Sequence, residues 1–181
     1  MSNELMSLFK SYVRHSEMPR PIGRDGRIRV NTFLDLMTAA HNPQHLDMMA
    51  DYFCNWIMEI SNLDEFIGIA TPKRGNILLS YKIASLLNKK SCFVKHDIIF
   101  GKWIEGPVCS GDSVIIIDDV ASDGELLIDS IESLRKEGIF TNKVLFFVER
   151  TEGDAKTLLH QNGTQYECCF SFSDQDLMKL L

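Results

Sequence analysis

From residue 66 to the end of the chain, short apolar runs alternate with stretches of helical spacing, and this alternation constrains the fold more than any other feature. The runs at 66–71 (FIGIAT), 92–95 (CFVK), 113–118 (SVIIID), 142–149 (NKVLFFVE) and 166–172 (YECCFSF) read as strands. Between them, 77–88 (ILLSYKIASLLN), 125–138 (ELLIDSIESLRKEG) and 153–163 (GDAKTLLHQNG) read as helices, the second ended by Gly138. A run such as Val114-Ile115-Ile116-Ile117 is apolar at every position, as a strand covered on both faces must be. The pattern predicts an α/β fold, a parallel sheet flanked by helices and joined by right-handed crossovers. No repeat or low-complexity linker interrupts it, so a chain of 181 residues is expected to form a single domain.

Upstream, Leu5, Met6, Leu8, Phe9 and Val13 form an apolar stripe that predicts a helix from residue 3 to about 16, broken by MPRPIGRDGR. Asn42-Pro43 is a cap and first-turn pair. Leu46, Met49, Phe53, Trp56, Ile57 and Ile60 then share one face, which predicts a core-facing helix over 43–60. Residues 96–112 read as a loop.

Composition narrows the function. Nineteen Lys+Arg against twenty-five Asp+Glu give a net charge of −6, a field that repels nucleic-acid backbones and anionic membranes. The polar N-terminal segment does not read as a signal peptide, and no apolar run approaches the roughly 20 residues that span a bilayer. Five cysteines without a C-x-x-C pair suit buried free thiols in a reducing, cytoplasmic setting, with no zinc site expected. His41 and His45 have metal-like spacing, but Pro43 between them places His41 ahead of the helix, which argues against a shared metal.

The chemistry concentrates after the central strand, in Ile115-Ile116-Ile117-Asp118-Asp119-Val120-Ala121-Ser122-Asp123-Gly124-Glu125-Leu126. In open parallel sheets, ligands bind where strands end at their carboxyl edge. Asp118 and Asp119 crown an apolar strand, and a single residue would suffice to cap the helix that follows, so they suit a polyhydroxyl or magnesium-bearing ligand. The turn from Ser122 to Leu126 presents backbone N–H groups at a helix N-terminus, which suits a phosphate. A sugar phosphate satisfies both halves.

The segment VIIIDDVASDGE resembles the phosphoribosyl-pyrophosphate (PRPP) motif of type I phosphoribosyltransferases, and the orotate branch of that family is similar over most of the chain. The resemblance implies a parallel α/β core, here 43–181, beneath a small N-terminal hood, 1–40, that carries part of the base pocket. It implies that Asp118 and Asp119 bind the ribose hydroxyls and order Mg2+ through water, and that Ala121, Ser122, Asp123, Gly124, Glu125 and Leu126 hold the 5-phosphate. Lys73, Arg74 and Gly75 fall at the family's pyrophosphate loop. Arg24 and Phe33 fall at its base-contacting positions, and Arg150 falls where the family pairs an arginine with the orotate carboxylate. A flexible basic loop, donated across a homodimer, corresponds to 95–105, with Lys95, His96 and Lys102 as its candidate catalytic residues.

This chain departs from the pattern in two places. The 95–105 loop is shorter and unusually apolar, with Ile98, Ile99, Phe100 and Trp103. Asp123 and Glu125 stand in a turn usually built from small neutral residues, and a carboxylate about 5 Å from a phosphate charge costs on the order of 3 kcal/mol at an effective dielectric of 20. Two readings therefore remain open: an orotate-type transferase that joins ribose 5-phosphate to a pyrimidine base, or a homologue that binds PRPP or a nucleotide as a sensor or assembly partner without turnover. Neither involves nucleic acid or a membrane.

Overall fold

The first helix is shorter than its apolar stripe predicts. In the computed structural model, which describes the backbone of residues 3–24, 26–72, 76–99 and 102–181 and their side chains except at 96–99 and 102, α1 (Asn3–Tyr12) stops at Val13. That β-branched residue, disfavoured in helices, opens β1 (Val13–Ile22), which pairs antiparallel with β2 (Ile28–Leu34). This hairpin, hereafter the hood, lies within the 1–40 segment that the resemblance implies is one. The short α2 (Leu36–Ala40), capped by Asp35, leads to α3 (Pro43–Ile60), where Asn42 caps and Pro43 occupies the first turn as the sequence predicts.

The core strands follow: β3 (Gly68–Thr71), β4 (Lys90–Ile99), β5 (Lys102–Glu105), β6 (Val114–Ala121), β7 (Lys143–Arg150) and β8 (Gln165–Phe172). They form one sheet in the order β5-β4-β3-β6-β7-β8, parallel except at the antiparallel β4/β5 edge. The expected loop at 96–112 is thus partly strand. β4 runs on past the predicted 95, and β5 turns back against it.

Helices α4 (Ile77–Leu86), α5 (Glu125–Lys136) and α6 (Ala155–Gln161) make the crossovers. Ile115 and Ile117 of β6 pack with Phe9, Met49, Phe53, Ile57 and Ile83 on one face. Val114 and Ile116 pack with Leu127, Ile131, Leu134 and Leu159 on the other, so the apolar run is covered on both sides. A last helix, α7 (Asp174–Met178), was not expected from hydrophobic spacing and is fixed by a Ser173/Asp176 capping box. Burial pushes the thiols of Cys54 and Cys168 up to about 11 and that of Cys92 up to about 12. Cys109 alone of the five is exposed, contrary to the expected burial, because it lies in the connection ahead of β6.

Candidate active site

Strand β6 stays extended through Ala121, three residues beyond the predicted end, so Asp118 and Asp119 lie within the strand rather than in a helix cap. Both are nearly buried, at 4% and 8% exposure. They face a cavity of about 1020 Å³ enclosed by the carboxyl edge of the sheet and the hood. Ala121, Ser122, Asp123, Gly124 and Leu126 line the same cavity, as do Arg24, Phe33 and Arg150. Residues far apart in sequence, singled out from three separate segments, are therefore brought together.

The turn after β6 has the geometry of an anion cradle. Gly124 takes a φ of +79° as N-cap of α5, and the helix receives no side-chain cap, so its N-terminal N–H groups face the turn. A side chain at Gly124 would meet Ala155 Cα at 2.7 Å, so α6 closes behind the turn. Among the described residues no cluster of three or more His, Cys, Asp or Glu could hold a metal by itself. The adjacent Asp118 and Asp119 carboxylates instead suit a hard divalent cation whose remaining ligands are water and the substrate's own oxygens.

Arg150 reaches the cavity from the end of β7, with only 2% of its side chain exposed. Its guanidinium donates to the Thr32 carbonyl at 2.9 Å, to Glu152 at 3.3 Å and to Asp174 at 3.3 Å. Asp174 in turn accepts from the N–H groups of Asn31 and Thr32 and from the Thr32 hydroxyl, at 2.9, 2.8 and 2.6 Å. Burial alone would raise the Asp174 carboxyl, but these donors and the Arg150 charge together hold it below its ordinary value. Arg150 thus ties strand β2 to the sheet edge. Arg24, for its part, turns its guanidinium to Asp129 on α5, while Phe33 stays 54% exposed at the cavity.

Two residues of this region carry no motif. Asn76, 1% exposed, donates to the Ile117 carbonyl at 2.8 Å and to the Ser80 hydroxyl at 2.9 Å, anchoring the start of α4 to the strand that bears Asp118. Asp174 is the other; its proximity to the Ser173 cap was the available signal for a helix, though not for its partners.

Lys73, Arg74 and Gly75 lie outside the described residues, as do Phe100 and the side chains of His96, Ile98, Ile99 and Lys102. Lys95 pairs with Glu105 across the β4/β5 edge at 3.2 Å. Trp103 packs back on its own chain: its backbone N–H donates to the Glu137 carboxylate at 3.3 Å and the Lys136 ammonium lies 5.5 Å from its ring centre.

No family model matches the chain. It is 28% identical over 166 residues to the orotate phosphoribosyltransferase of Methanosphaera stadtmanae, covering 88% of each protein. It is 25% identical over 135 residues to that of Methanocaldococcus jannaschii, covering 73% of this chain and 74% of the relative. The crystal structure of orotate phosphoribosyltransferase from Aeropyrum pernix superposes with a TM-score of 0.77 at 22% identity, over 97% of this chain and 98% of that one, and so shares its fold.

Proposed function

We propose that this type I phosphoribosyltransferase, similar to the orotate branch of its family, transfers ribose 5-phosphate from PRPP to a pyrimidine base, orotate, with release of pyrophosphate. The observation that carries the reading is the single cavity in which the Asp118-Asp119 pair, the 122–126 turn and the basic, aromatic face of the hood meet. The carboxylates accept hydrogen bonds from ribose hydroxyls, and the N-terminal N–H groups of α5 hold the 5-phosphate. Mg2+ with PRPP would lie near Asp118 and Asp119, held through water, and would offset pyrophosphate charge. The transition state is oxocarbenium-like, so the chain contributes positioning and charge stabilisation more than proton transfer.

Lys73 and Arg74, in the connection after β3, are assigned to the leaving pyrophosphate, and Lys95, His96 and Lys102 to the closing loop of a homodimer. A cytoplasmic setting belongs to the same reading; among the described residues no helix is long and apolar enough to cross a membrane. If Lys102 meets the leaving group, Lys102→Ala lowers kcat at least tenfold, about 1.4 kcal/mol, and leaves PRPP affinity nearly unchanged. Equal rates in the variant and the wild type would remove Lys102 from the mechanism.

A second reading, binding without turnover, gains support from the Lys95–Glu105 pair, which engages a loop cation within its own sheet. Pyrophosphate release in the presence of PRPP, Mg2+ and orotate separates the two. Turnover dependent on orotate is expected. A melting shift with PRPP but no release with orotate or any other base would leave only the binder.

A further inference from the structure

The two acidic departures in the phosphate turn both have partners in the hood. Asp123 accepts the backbone N–H of Arg24, Glu125 meets the Arg27 guanidinium at 3.3 Å, and Asp129, one turn further along α5, takes the Arg24 guanidinium. The approach is close on both sides. Asp123 is only 8% exposed, and Gly23 has a φ of +79°, with no room for a side chain because a Cβ there would overlap the Asp123 carboxylate. Gly23 thus meets both demands of the hairpin tip, a left-handed backbone and a bare surface.

We propose that Asp123 is a positioning residue that shapes the base pocket from the phosphate site. Its carboxylate holds the tip of the β1–β2 hairpin, and the same hairpin carries Phe33 and Arg14, paired across the ladder and both lining the cavity. The inference rests on the transferase reading given above. One side chain then has two separable properties: the oxygen acceptor fixes the hood, while the negative charge opposes an incoming phosphate.

Substitution can part them. Asp123→Asn keeps an oxygen acceptor for the Arg24 N–H and loses the charge, whereas Asp123→Ala loses both. Both variants are expected to bind PRPP at least threefold more tightly. Asp123→Ala raises the KM for orotate at least tenfold, and Asp123→Asn holds it within about twofold of the wild type. Gly23→Ala disturbs the contact from the hood side and leaves the charge in place, so it raises the orotate KM without tightening PRPP.

An orotate KM that Asp123→Ala leaves unchanged, or that rises equally in Asp123→Asn, overturns the proposal, as does weaker PRPP binding in both. Hydrogen exchange gives a readout that needs no turnover. The Arg24 amide loses protection in Asp123→Ala and keeps it in Asp123→Asn, and equal protection in the two overturns the clasp. Wild-type protein that releases no pyrophosphate with orotate defeats the transferase reading, while the exchange comparison still tests the contact itself.

Discussion

Replacing Arg150 by alanine is expected to lower the stability of the chain by about 3 kcal/mol and to free the hood from the sheet edge. All three kinds of guanidinium nitrogen in this arginine are engaged, by the Thr32 carbonyl, Glu152 and Asp174. Truncation leaves two carboxylates facing one another without their counter-ion. The cost sits at the low end for a buried pair because the side chains of Glu152 and Asp174 keep 26% and 24% of their surface in water. For a chain of this size the melting temperature falls by roughly 6–12 °C. Arg150→Lys, which keeps the charge but lacks the planar fork, falls in between. A melting temperature for Arg150→Ala within about 2 °C of the wild type would show that the arginine does not hold the hood.

The same network sets a direction with pH. The Asp174 carboxyl is held below its ordinary value in the folded state, so its contribution is fully present above the unfolded pKa, near 3.9, and is lost as the pH falls through the lower folded value. Below about pH 4 the wild type therefore loses stability that Arg150→Ala has already lost in part, and the gap between the two narrows.

The sheet was legible because its central strand leaves no room for another reading. Four consecutive apolar residues at 114–117 feed two separate cores, and the carboxylates that follow mark the ligand edge. The first strand of the hood was not legible from hydrophobic spacing. In β1 only Val13 is buried, and Pro19, Pro21 and the charged residues around them show no period of two. That hairpin is held by tertiary partners instead: Asp174 on β2, and Asp123, Glu125 and Asp129 at its tip. Each lies about a hundred residues or more away along the chain, beyond the reach of local pattern. Asp123 and Glu125 stood out in the sequence as departures from a phosphate turn. Only the folded arrangement shows that the hood meets them, Asp123 through the Arg24 backbone N–H and Glu125 through the Arg27 guanidinium, which lessens the charge penalty expected from the turn in isolation.

Changing both Asp118 and Asp119 to asparagine is expected to lower kcat/KM at least about a hundredfold, which corresponds to about 2.7 kcal/mol of transition-state stabilisation. Hydrogen bonds to an ionised acceptor are roughly twice as strong as those to a neutral one, so each amide gives up about half of what a carboxylate offers a ribose hydroxyl. The field that favours a cation beside the pyrophosphate goes as well. The amides match the carboxylates in shape, and the ligand-free melting temperature of the double variant, measured alongside, tells a loss of folding from a loss of the site. Ligand response then isolates the site. PRPP with Mg2+ at 100 times its dissociation constant stabilises the wild type by about 2.7 kcal/mol, a rise of roughly 5–11 °C, and the double variant shows little of it at the same concentration. A double variant that keeps the full melting shift would place the ribose somewhere other than the end of β6, and with it the reaction.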